Sequence, residues 1–156
     1  MKIRSVAMGA AVVVLVLQGC ASGRRATDVE TVPSGWPVPR ASAVVTSEFG
    51  APRGKSRHEG IDLSAPAGTP VTATADGVIG FAGRSGDFGR LVIVDHGAGW
   101  QTGYAHLKRI KVKKGKKVAR GDVIGTIGKS GNATGNHLHY EVRRDGRTVD
   151  PRPYLR

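Results

Sequence analysis

Apolar and polar residues alternate in short runs along most of the chain. Seven of these runs predict β-strands: Ser42–Phe49, Thr69–Ala75, Val78–Ala82, Leu91–Asp95, Gln101–His106, Asp122–Ile127 and Leu138–Arg143. Each is rich in β-branched or aromatic residues and is punctuated by glycine. No window of a dozen residues carries the stripe of an amphipathic helix. Asp76-Gly77 lies between the second and third runs and is a tight-hairpin signal, so those two strands are expected to pair. The pattern predicts an all-β domain of antiparallel strands in two packed layers, β-sandwich-like, with a groove on one sheet walled by loops. Candidate walls are the glycine-containing segments Ala82–Arg90 and Lys129–Asn136, read as flexible enough to accommodate an extended peptide.

The alternation is absent from the first forty residues. Lys2 and Arg4 precede an unbroken apolar or small-residue stretch from Val6 to Leu17. Spanning a bilayer takes about 20 apolar residues, so residues 1–19 read as a signal peptide. Leu17-Gln18-Gly19-Cys20 resembles the lipobox of bacterial lipoproteins, which implies cleavage before Cys20 and acylation of its thiol. Such a chain is a cell-envelope lipoprotein held to the membrane through Cys20. Ala21, where retention in the inner membrane would typically show Asp, places it at the outer membrane facing the periplasm if the host has two membranes. Cys20 is the only cysteine, which excludes an intrachain disulfide and a thiolate-rich metal site. Residues 20–40, with prolines at 33, 37 and 39, read as a lipid-anchored tether, and 41–156 as one folded domain.

Composition adds two constraints. Aromatic residues are 5% of the chain, so the core must rest on Val, Ile, Leu and Ala. The formal charge is +12, much of it in Lys108–Lys117. In an exported protein such a patch meets anionic wall polymers and lipid headgroups and not nucleic acid, or else it is simply the solvated face of a hairpin.

Candidate chemistry sits on histidines. His137-Leu138-His139 places two imidazoles on one face of a strand, while Leu138, Tyr140 and Val142 take the other. His58 and Asp62 stand four residues apart in a segment whose Gly60 favours extended backbone, which puts both on one face and leaves that face open to an ion. Tyr104-Ala105-His106-Leu107 supplies a further histidine. Imidazole nitrogen and carboxylate oxygen are ligands that suit zinc. His96 matches none of these positions and reads as structural; Asp95 reads as a turn residue, Tyr104 as a possible orienter of a site imidazole, and Glu59 as solvent-facing.

Together, in this order, the three motifs resemble the lysostaphin/LytM-like zinc metallopeptidases, which cut peptide cross-links of bacterial peptidoglycan. The resemblance runs from about Val44 to Leu155 and takes in Gly60-Ile61-Asp62-Leu63, Gly121-Asp122-Val123-Ile124-Gly125 and Val149-Asp150-Pro151. Asn136 and Gly103 depart from the family pattern without touching a candidate ligand. The resemblance implies a duplicated hybrid motif as the fold, His58, Asp62 and His139 as zinc ligands, and His106 and His137 as catalytic groups beside the metal. Three protein ligands leave a fourth tetrahedral position for water, the open site that a catalytic zinc needs. The implied substrates are peptidoglycan peptide bridges, a D-alanyl–diaminopimelyl link being expected if the host has an outer membrane. Two other classes compete. Some relatives have lost their zinc ligands and act as non-enzymatic activators of cell-wall amidases, so an amidase or divisome partner stays open. Biotinyl and lipoyl carriers have similar glycine-turn hairpins, but outside the leader no lysine stands in the Met-Lys or Asp-Lys context that a carrier modifies.

Overall fold

The computed structural model describes residues 32–156. The signal peptide, the lipobox and Cys20 lie outside the described residues.

One large antiparallel sheet carries strands in the order β1 (Val44–Ser47), β4 (Ile61–Ser64), β12 (His137–Arg144), β8 (Trp100–Ala105), β7 (Gly89–Gly97), β6 (Gly77–Ser85) and β10 (Lys117–Val118), with β13 (Arg147–Val149) also pairing with β12. A second sheet is formed by β5 (Pro70–Thr72), β11 (Val123–Thr126) and β9 (Arg109–Ile110). A small hairpin of β2 (Pro52–Arg53) and β3 (Ser56–Arg57) stands apart from both. Among the described residues there is no α-helix, only short 3₁₀ turns such as Gly86–Phe88. The all-β, antiparallel reading holds, and each of the seven alternating runs contains a strand.

Alternation decides which side of the large sheet is dry. Ile61 and Leu63 on β4, Leu138, Tyr140 and Val142 on β12, Tyr104 on β8 and Val92 and Val94 on β7 are buried in one cluster with Val71, Ile124 and Ile127 of the second layer. The two tyrosines are fully buried, and their hydroxyls both meet Thr74, at 3.1 and 2.9 Å. In the basic stretch, Ile110 and Val112 turn inward while Lys108, Arg109 and Lys111 are exposed, so the cations form a solvated face.

Two expectations change, and the segment read as a tether gains contacts. Asp76-Gly77 is not a hairpin turn: β5 pairs with β11, and β6 pairs with β7 and β10, so the chain changes sheet there. Asp76 instead accepts hydrogen bonds from the Arg120 amide and, at its carbonyl, from His96 Nδ1–H. Part of the stretch read as a tether lies against the domain: the amides of Ser34, Gly35 and Thr72 bond to Thr74, Tyr154 and Pro37 carbonyls, and Val38 is buried, so residues 34–38 form a strap. Finally, the glycine-rich walls are clamped. A Cβ on Gly89 would lie 2.4 Å from the Gly131 nitrogen, one on Gly131 would lie 2.3 Å from the Asp87 carbonyl, and the Asn132 amide donates to that same carbonyl. Glycine there permits backbone contact instead of motion.

Candidate metal centre

Register builds the site. On β12, His139 lies opposite Asp62 of β4 on one side and opposite Ala105 of β8 on the other. His106 follows Ala105 directly, and His58 ends the β2–β3 hairpin just before β4. Pairings remote in sequence therefore gather all five candidate residues. The stretch from 58 to 60 is a bend and not a continuous strand, and Gly60 does not serve to open a face. Its Cβ would sit 2.5 Å from the Tyr140 carbonyl and 2.8 Å from His139 Cε1, so glycine is what lets β4 approach the ring.

His58 Nε2, Asp62 Oδ1 and His139 Nδ1 form a triangle with sides of 3.1, 3.0 and 2.9 Å. All three residues are buried. The outer atoms of these groups determine where the protons are. His58 Nδ1 lies 2.9 Å from the Glu48 carbonyl, an acceptor only, so that nitrogen carries the hydrogen and Nε2 the lone pair. His139 Nε2 lies 3.1 Å from Glu141 Oε1, so it too carries the hydrogen and leaves the Nδ1 lone pair inward. Asp62 Oδ2 accepts from Arg53, which leaves Oδ1 inward. Three lone-pair atoms thus converge with no proton between them, which calls for a cation. Tetrahedral ligands about 2.0–2.1 Å from zinc stand roughly 3.3 Å apart, so small outward shifts would seat such an ion.

Ionisation follows the same logic. Burial alone would raise the Asp62 pKa, but the close histidines, His139 foremost, outweigh it and hold it at about 2. Burial pushes His58 and His106 below the ordinary imidazole value, keeping both neutral. For His139 burial acts in that direction too, but the carboxylates of Asp62 and Glu141 outweigh it and raise the value.

His106 and His137 flank the triangle. Their ring centroids are 4.7 Å apart, and His137 Nε2 is 3.8 Å from Asp62 Oδ1. Each directs Nδ1–H to a carbonyl, Ser130 for His106 and Gly135 for His137, which leaves Nε2 as the basic nitrogen. His106 holds φ of +61°, a left-handed conformation fixed by bonds from its amide to Phe88 and from the Ser130 amide to its carbonyl. Backbone strain of this kind collects at functional sites.

The groove has two lobes of about 430 and 520 Å³ that share Arg53 and Asn132. Both predicted walls are present, through Asp87 and Phe88 on one side and residues 132–136 on the other. The β2–β3 hairpin forms a third wall that the sequence did not disclose. Tyr104 is no part of the site: it faces the core on the opposite side of the sheet. His96 is buried away from the groove between the Asp76 carbonyl and Thr102, Asp95 caps the Gly97 amide, and Glu59 is exposed. A larger concavity, about 1090 Å³, is lined by Asp76, His96 and Lys114 and shares no residue with the histidine cluster. Glu141, buried beneath His139, escaped the sequence reading, although a period of two from His137 and His139 reaches it.

An all-β domain whose groove holds a His–Asp–His triangle of this kind belongs to a known class of metal-site domain. The chain belongs to peptidase family M23, whose family model matches residues 56–151. The DD-carboxypeptidase/endopeptidase Mpg of Neisseria meningitidis is 51% identical over 94 residues, which cover 60% of this chain and 22% of that protein. The cell division protein DipM of Caulobacter vibrioides is 39% identical over 123 residues, covering 75% and 20% respectively. The chain thus spans about a fifth of the length of these relatives. Among solved structures, a zinc-containing peptidase from Vibrio cholerae superimposes with a TM-score of 0.72 at 34% identity, covering 77% of this chain and 39% of that one. The lysostaphin catalytic domain from Staphylococcus simulans gives 0.68 at 31% identity, covering 72% and 92%.

Proposed function

We propose that this protein is a zinc-dependent endopeptidase of peptidoglycan cross-links, held in the cell envelope by a lipidated Cys20. The carrying observation is the meeting of three lone-pair atoms, each with its outer side already satisfied. His58, Asp62 and His139 would hold the ion, and two neutral imidazoles with one carboxylate leave it a net positive charge. Zinc so bound supplies a Lewis acid for the peptide carbonyl and lowers the pKa of a coordinated water.

The chain's own residues do the rest. His106, neutral through burial, can take a proton at Nε2, as can His137 on the other lobe, and the ring that has taken it can hand it on to the departing amine. In its protonated form either ring can also face the developing oxyanion. Phe88, whose ring centroid is 5.7 Å from that of His139, lines the same lobe as His58 and His106. The complete cluster counts against a purely non-enzymatic activator, in which the ligands have no reason to persist. Digestion of defined muropeptide dimers, with and without chelator and followed by mass spectrometry, tests the reading. Metal-dependent release of monomers at one bond is expected; intact dimers in the presence of zinc-loaded protein would refute it.

A further inference from the structure

His137, His139, Glu141 and Arg143 occupy alternate positions of β12, so the histidine face continues for two more residues. Glu141 is 2% exposed. Burying a carboxylate costs several kcal/mol unless its oxygens are matched. Both are matched here: Oε1 meets His139 Nε2 at 3.1 Å, and Oε2 takes Arg143 Nε and a terminal nitrogen at 2.9 and 2.6 Å. Facing the always-charged Arg143 guanidinium, Glu141 stands as a carboxylate and is an acceptor on both oxygens.

We propose that Glu141, locked by Arg143, is a positioning residue that fixes His139 in the Nε2–H tautomer and so leaves Nδ1 free to bind a divalent cation. The inference rests on the metal reading above and deepens it. Its logic lies in the two oxygens. Arg143 presents only N–H donors, so the group facing it must accept; the ionised carboxylate does that and still accepts from His139. An amide cannot do both. In Glu141→Gln the amide oxygen turns to Arg143 and the NH₂ turns to His139, where it requires a lone pair on Nε2. The ring proton then moves to Nδ1, between His58 and Asp62, and blocks the ion. Removing the donors with Arg143→Met frees the amide to reverse and restores the metal-binding tautomer.

The test is zinc affinity, by competition with a chromophoric chelator, for the wild-type protein, Glu141→Gln, Arg143→Met and the double variant. Thermal melts in chelator establish that each folds. Glu141→Gln is expected to bind roughly 10- to 100-fold more weakly, the usual cost of losing such a partner. The double variant should regain most of that loss, whereas two lesions in a merely structural cluster would leave it no better. Wild-type affinity in Glu141→Gln, or a double variant no tighter than the single one, would overturn the proposal. Should Glu141→Gln not fold, the long-range ¹H–¹⁵N spectrum of wild-type, metal-free protein at alkaline pH decides alone: a proton on His139 Nε2 is expected, and one on Nδ1 overturns it. A wild-type protein that binds no zinc would overturn both this and the metal reading; one that binds zinc but cleaves no muropeptide spares the tautomer assignment.

Discussion

His58 and His139 each direct one ring N–H to a group that can only accept, and this is what turns two ordinary imidazoles into a pair of inward lone pairs. His106 and His137 are arranged differently. Their Nδ1–H groups are also tied to carbonyls, but their Nε2 atoms stay outside the triangle. Alanine at either position is therefore expected to keep one zinc per chain while kcat falls by about 10²- to 10⁴-fold, the range for losing a general acid or base. Zinc content by elemental analysis, set beside turnover of a muropeptide dimer, checks this; unchanged turnover would remove that histidine from the mechanism. His58→Ala should instead lose the metal. The triangle was legible because HxxxD and HxH name residue types and spacings. Arg53, which holds Asp62, was not, since nothing local in Pro52-Arg53 says that its hairpin folds over β4.

At the level of the strand, the site depends on how closely β4 approaches β12. Gly60 is the position where that approach admits no side chain, since the Tyr140 carbonyl would lie 2.5 Å from the Cβ of any residue placed there. Gly60→Ala is expected to destabilise the metal-free protein by about 1–3 kcal/mol, as overpacking does, and to weaken zinc binding because His58 and Asp62 flank the displaced segment. Gly135→Ala is the control: it lies in a groove wall, nothing stands within 4 Å of the added carbon, and stability should hold. Urea unfolding in chelator, with zinc competition alongside, separates the two, and equal midpoints would show that the approach is not tight. Strands were readable because burial on one face forces a period of two, as Leu138, Tyr140 and Val142 show. Partnerships were less so. Asp76-Gly77 looks like a hairpin turn from its own composition, yet β5 finds β11 and β6 finds β7, and such choices are made by contacts far apart in sequence.

Over the whole molecule, buried histidines set the response to acid. Burial depresses His58, His96 and His106, while carboxylates raise His139. A depressed histidine takes up its proton more readily once unfolded. As pH drops below the unfolded value of about 6.5, each of the three favours unfolding, and only His139 opposes. In chelator the melting temperature should therefore fall between about pH 7.5 and 5.5 by calorimetry; a flat or rising profile would contradict this balance. The domain's outer limit is open to a similar test. Val38 is buried against the core, and Gly35 joins the 3₁₀ turn at Arg152–Tyr154 through the Tyr154 carbonyl, so the strap ties residues near 35 to the C-terminal turn. Its composition hid this, because proline-rich stretches read alike whether they hang free or lie along a surface. Removing the strap exposes the apolar site under Val38, at roughly 1.5–3 kcal/mol for a buried valine, and breaks backbone hydrogen bonds of about 1 kcal/mol each. A protein beginning at Ala41 is expected to unfold at lower urea than one beginning at Val32, with cleavage chemistry retained at temperatures where both are folded. Matching midpoints would mean that the strap rests on the domain without stabilising it.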